Sequence, residues 1–190
     1  MKRLVTATVA TVLLAGSVQA QERPLRAGVL GSPTVGKPAP EVVLPYFLPT
    51  GPGPTDQPFR LSAELGRVVV LVLGGGLDSA SRAGWREVAE RARGLGARSV
   101  VVAGVVRAGA EAVLGLSVGL DSDLKLLADP DGRVHRTYGL GRGGRVWAGF
   151  VVADDGRLVW SGRLELGSEV GWKDLAAAVE QGRTARLPSR

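Results

Sequence analysis

The sequence predicts an α/β domain in which a central mixed β-sheet is flanked by helices and carries an N-terminal β-hairpin extension. Three observations lead there. Val68–Leu73 is an unbroken apolar run with four valines, the pattern of a strand buried on both faces of a sheet. An amphipathic segment and a second valine-rich run follow it, so strand, helix and strand alternate. Further on, Asp154-Asp155-Gly156 separates two apolar runs, a strong hairpin signal, and an amphipathic helix comes after.

Glu41–Leu48 is apolar enough for an edge strand, and the Pro/Gly stretch Pro49–Pro54 reads as a turn or loop. Phe59–Leu61 alternates and is expected to pair back as the second hairpin strand. Val68–Leu73 runs into Gly74-Gly75-Gly76. Trp85, Val88, Ala89, Ala92 and Leu95 then recur at helical spacing with Arg and Glu between them, predicting a helix capped at Asp78 and ended near Gly94 or Gly96. Ser99–Val106 is a second buried strand and Ala108–Leu116 a weaker helix. Leu124–Ala128 is a short strand closed by the turn Asp129-Pro130-Asp131-Gly132. Val146–Ala153 and Leu158–Ser161 flank the hairpin turn, and Trp172, Leu175, Ala176 and Val179 mark the terminal helix. Trp85, Trp160 and Trp172 fall at periodic positions expected in the core. No internal repeat is visible.

Four segments organise the 190 residues. Lys2-Arg3, an apolar run from Leu4 to Ala15 and the small-residue stretch ending at Ala20 read as a secretory signal over residues 1–20. Its apolar run is about a dozen residues, short of the roughly twenty that span a bilayer, and no later stretch is long and apolar enough to do so. Residues 21–35 read as a flexible linker, 36–181 as the folded domain and 182–190 as a frayed basic tail. The processed protein is expected to be periplasmic or extracellular with no transmembrane segment.

Composition narrows the chemistry. The formal charge is +6, and loss of Lys2 and Arg3 with the signal leaves +4. So mild an excess gives weak attraction at physiological salt and does not point to nucleic acid; an envelope protein or a small ligand is the partner class left open. There is no cysteine, which excludes disulfides, thiolate metal sites and thiolate nucleophiles together. The only methionine is Met1, so the processed chain would carry no sulfur. That depletion removes the usual protein targets of peroxides, and a composition rich in Ala, Gly, Arg and Val, as a GC-rich genome produces, is the favoured competing explanation.

Gly36-Lys37-Pro38-Ala39-Pro40, then Phe59–Arg67 leading into Val68–Leu73, resembles the opening of the redoxin branch of the thioredoxin superfamily, which includes peroxiredoxins of the alkyl hydroperoxide reductase and thiol-specific antioxidant type. Leu127–Gly132 with Tyr138-Gly139, and Phe150–Arg157, resemble that family's later turn and hairpin. The resemblance covers about residues 36–180 and implies a thioredoxin-like fold. It also implies a peroxide-attacking thiolate at the start of the helix after the first buried strand, where the helix dipole and a nearby cation stabilise it. Here that stretch reads Gly74-Gly75-Gly76-Leu77-Asp78-Ser79-Ala80-Ser81-Arg82, with no thiol and no Pro-x-x-x-Thr element. Ser79 and Ser81 are the nearest hydroxyls, and a serine oxygen is hardly ionised near neutral pH and cannot pass through a sulfenic acid.

A second position that the resemblance singles out lies just before Phe150, where peroxiredoxins tend to carry arginine and thioredoxins a cis-proline. Trp147 stands there, and the bond before it is expected to be trans. Arg145 shares its strand face by period two. Gly74, Gly75, Gly76, Asp78, Ser79, Ser81, Arg82 and Trp147 are thus read as a degenerate active site, with Ser79, Ser81, Arg145 and Trp147 as candidate ligand contacts. Asp78 is better read as an N-cap than as part of an anion site, because its own charge repels an anion.

The lone His135 could in principle serve Ser79 or Ser81 as a general base, but no Gly-x-Ser-x-Gly elbow is present, and Gly132–Tyr138 reads as a surface helix with a solvated histidine. The Asp121/Asp123 and Asp129/Asp131 pairs lack the further ligands of a metal loop and read as turn formers, so no metal or cofactor is expected. Arg86/Glu90 and Glu87/Arg91 read as a solvated helix face. If Trp147 lines the former pocket it makes that pocket apolar, suited to a small hydrophobic ligand or a partner side chain; an open pocket would favour binding and a filled one a scaffold role. The leading expectation is an exported redoxin-fold protein that has lost its peroxidatic cysteine and serves as a non-catalytic binding or accessory domain. The alternatives are antioxidant or oxidoreductase activity with a partner's thiol and, remotely, serine-based hydrolysis.

Overall fold

Prolines break the N-terminal part of the chain into short strands. Pro45 separates β1 (Val43–Leu44) from β2 (Tyr46–Leu48), β3 (Gly51–Pro52) turns back on β2, and β4 (Phe59–Arg60) pairs antiparallel with β1. The computed structural model describes residues 32–95, 100–120, 122–141 and 146–184. After a single 3-10 turn at Leu61–Glu64 the long apolar runs take over. They form β5 (Val68–Gly74), α1 (Ser79–Leu95), β6 (Val100–Val106), α2 (Ala110–Ser117) and β7 (Lys125–Ala128), then α3 (Arg133–Thr137), β8 (Trp147–Val152), β9 (Leu158–Leu164) and α4 (Trp172–Thr184).

Seven strands make one mixed sheet in the order β3-β2-β7-β6-β5-β8-β9. β5, β6 and β7 run parallel, joined by crossovers through α1 and α2, and β8 pairs antiparallel with β5. Every residue of β5, β6 and β8 is buried. On one face Val68, Val70 and Val72 pack with α1, α2 and α4 through Trp85, Val113 and Leu175. On the other, Val69, Leu71 and Leu73 pack with α3 and the N-terminal segment through Val134, Tyr138, Val42 and Phe59. Period-two alternation along a strand covered on both sides produces this division. The expected α/β architecture, a mixed sheet flanked by helices, is the architecture observed.

Several expectations need correction. Glu41–Leu48 is two strands, and only β1 pairs with Phe59–Arg60, so the extension is an antiparallel pair enclosing a long excursion and not a tight hairpin. Gly51–Pro52, inside the expected loop, is a strand at the edge of the main sheet, which moves β2 off the edge. An edge position tolerates Pro52 because its missing N–H can face away from the ladder. The terminal helix runs past residue 181 to Thr184, and Gly182 is buried against Val68, Ala153 and Val159, so the first residues of the expected tail belong to the domain. The secretory signal, most of the linker, Ser99, Asp121, Arg145 and the last six residues of the tail lie outside the described residues.

The domain entry is tied down. Gly36 N–H donates to Leu158 O at 2.7 Å and Leu158 N–H donates to Lys37 O at 2.9 Å, so the chain joins the outer edge of β9 at Gly36. Tyr138 Oη then donates to Pro40 O at 2.6 Å, fixing the segment across the α3 face. Burial, and then the negative charge of Glu41, push the Tyr138 phenol well above its ordinary pKa, so it remains a donor throughout the working pH range.

Candidate functional site

β5 ends at Gly74, and the chain crosses Gly75-Gly76-Leu77 to enter α1. Asp78 caps that helix: its Oδ1 accepts from Ser81 N–H at 2.7 Å, while Arg82 N–H donates to Asp78 O at 2.9 Å. Ser79 is exposed and Ser81 is buried. Arg82 is exposed and its Nε donates to Leu77 O at 2.9 Å, which holds the guanidinium against its own loop.

Trp147 stands across from this turn because β8 runs antiparallel to β5. Leu73 faces Ala148 in the register, which brings Trp147 beside Gly74. Trp147 lies on the α1 face of the sheet and is 7% exposed as a residue. A methyl group on Gly74 would overlap its six-membered ring, and one on Gly84 in α1 would sit 2.6 Å from Trp147 Cζ2 and 2.5 Å from Leu166 Cδ1. Trp85 meets it edge-on, ring centroids 4.7 Å apart at 65°. Trp85 in turn rests on Gly104 of β6, where a Cβ would come 2.5 Å from Cζ3. Two indoles therefore fill the volume beside the glycine turn, and three glycines on three elements make room for them. Of the two arrangements the sequence leaves open, a pocket lined by Trp147 or a filled one, the packing is the filled one, a slot that Trp147 occupies.

Leu166 closes the slot from the segment between β9 and α4, which α1 clasps. Glu87 Oε2 accepts from Gly167 N–H at 2.7 Å and Glu87 Oε1 pairs with Arg91 Nε at 3.1 Å. Arg91 reaches Glu169 Oε1 at 3.0 Å and Ser168 O at 3.0 Å, and lies 4.9 Å over the Trp172 ring. The Glu87/Arg91 pair expected to decorate a solvated face thus holds the segment over the slot.

On the opposite face, His135 is a correction. It is 2% exposed, not solvated, and α3 is packed against the sheet with Val134 and Tyr138 in the core. Asp129, expected only to form a turn, is 1% exposed. Its Oδ2 lies 2.7 Å from His135 Nδ1 and accepts from His135 N–H at 3.1 Å, and His135 Nε2 lies 3.1 Å from Gly74 O. Burial pushes the Asp129 carboxyl up, but the hydrogen bonds from the His135 ring and backbone, the ring's charge and the Val134 backbone N–H outweigh it. The pKa falls below its ordinary value. Both ring nitrogens are spent on Asp129 and Gly74, so His135 is not free to serve Ser79 or Ser81 as a base. Val134, His135 and Tyr138 share one face of a helical turn, a spacing that would have pointed His135 inward.

Arg145 lies outside the described residues; the peptide bond before Trp147 is trans. No group of three or more metal-ligating side chains occurs among the described residues, and no described helix is long and apolar enough to cross a membrane.

No protein-family model and no curated protein matches the chain. Solved structures do. A Chlorobium tepidum protein assigned as the thiol:disulfide interchange protein DsbE superposes with a TM-score of 0.61 at 17% identity, over 78% of this chain and 99% of that one. Enterococcus faecalis AhpC matches with 0.67 at 15% identity, over 83% and 98%, and the reduced Plasmodium vivax 2-Cys peroxiredoxin with 0.63 at 16%, over 78% and 81%. The chain has the thioredoxin-like fold of redoxins. Within that fold it is a cysteine-free form, with an indole lodged beside the helix entrance.

Proposed function

We propose that this protein is an exported, non-catalytic redoxin-fold domain that acts as a stable accessory or binding module of the cell envelope or extracellular space. The observation that carries the reading is Trp147: the indole fills the slot beside Gly74–Arg82 on a chain without a thiol. Packing of this kind favours a scaffold role over capture of a small ligand in that slot. It also counts against a partner's thiol entering there, since Gly84, Trp85 and Leu166 already surround the ring. The engagement of His135 by Asp129 and Gly74 weighs against serine hydrolysis.

The test is hydroperoxide consumption by the purified protein with a thiol reductant present. We expect the rate of a boiled control, and turnover well above it overturns the reading. Export is tested separately by the intact mass of protein recovered from envelope or secreted fractions. A chain beginning at Gln21 is expected, whereas an uncleaved cytoplasmic chain would contradict export.

A further inference from the structure

We propose that the space bounded by Gly74, Gly84, Trp85 and Leu166 is a receptor for a planar aromatic ring of indole size, filled by the chain's own Trp147 and able to take free indole once that side chain is removed. The proposal rests on the reading of Trp147 as the slot's filler, and a titration tests it independently of any peroxide assay.

The shape of the slot argues for a flat guest. Its walls on β5 and α1 are glycines, whose bare backbone lets a ring approach closer than any side chain would allow, and a Cβ at either position would enter the ring's own volume. Trp85 supplies an edge-on aromatic contact at 4.7 Å and Leu166 an aliphatic one, so the side chains that meet the ring are aromatic and aliphatic. Four supports hold these walls when the ring is gone. β5 is bonded into the sheet on both sides, Gly74 O is engaged by His135, Trp85 is wedged on Gly104, and the Leu166 segment is clasped by Glu87 and Arg91. A rigid apolar cavity stays dry and binds an apolar guest of matching shape, whereas a soft one collapses.

The experiment is thermal melting of Trp147→Gly with increasing indole, beside the unsubstituted protein and the double variant Trp147→Gly/Gly84→Leu, whose leucine refills the space. Indole should raise the melting temperature of Trp147→Gly saturably, by roughly 3–6 °C at tenfold excess over Kd, and leave the other two unchanged. A folded Trp147→Gly that is blind to indole overturns the proposal, as does an equal rise in all three proteins. If Trp147→Gly does not fold alone, refolding on addition of indole supports the receptor. Failure to refold, together with a folded Trp147→Leu that ignores benzene, overturns it.

Discussion

His135 Nε2 lies 3.1 Å from the carbonyl oxygen of Gly74, the last residue of β5, so a histidine on one face of the sheet fixes the turn whose other side receives Trp147. The imidazole bridges the Gly74 carbonyl and the Asp129 carboxylate. His135→Leu removes both contacts and leaves the Asp129 carboxylate buried without its ring partner. The expected loss is about 3–5 kcal/mol by urea denaturation, the range for breaking a buried pair. Asp129→Val/His135→Leu should recover much of it, because the stranded charge goes with the aspartate; an additive double variant would contradict the coupling.

Asp129 also sets an acid limit. Its folded-state pKa is lowered, so its contribution to stability is fully present above the unfolded value of about 3.9 and fades as pH falls through the folded value. Melting temperature measured from pH 6 downward should hold until about pH 4 to 5 as far as this group is concerned, then decline. Asp129→Asn should begin lower and lose less across the acid range; equal slopes for both proteins would refute the assignment.

Trp147→Ala should cost about 3–5 kcal/mol, the usual range for emptying a buried aromatic site. Gly74→Ala should cost at least about 1–3 kcal/mol, since its methyl group enters the volume of the indole. The two penalties should not add. In the Trp147→Ala background the Gly74→Ala cost should fall sharply, and a double-mutant cycle showing no coupling would mean that the ring does not rest on Gly74.

Arg91→Ala releases Glu169, Ser168 and the Trp172 ring together. The cost should be modest, about 1–2 kcal/mol, because the ion pairs are partly exposed and the cation–π contact is single. The local effect should be larger than the global one. Amide exchange at Gly167 through Val170 should accelerate several-fold while the β5 amides keep their protection; unchanged exchange would show that the clasp does not hold the segment.

What the sequence made legible was local. The valine run of β5, the Asp78 cap and the Asp-Gly hairpin each carry their signal within a few residues, and each appears where expected. What it hid was assembled from distant parts. Whether Trp147 opens or fills a pocket depends on glycines at 74 and 84, on two other elements, and no periodicity in β8 reports them. His135 was misplaced because its partners, Asp129 and Gly74, lie before the helix and 61 residues away in sequence, and its polar neighbours gave the turn a solvated look. Gly51–Pro52 escaped because a two-residue strand has no alternation to read.

The two neighbours of β5 arrive at very different times in the chain. Val70 pairs with Val102, 32 residues on, but also with Val151, 81 residues on. Closing the longer loop costs more chain entropy before any contact repays it, so the pairing that delivers Trp147 should form late and make folding slow for a domain of this size. Until β8 docks, the valine strand presents a naked backbone edge and an unfilled groove to its surroundings, and a nascent chain stalled at that stage is the species most exposed to misassembly.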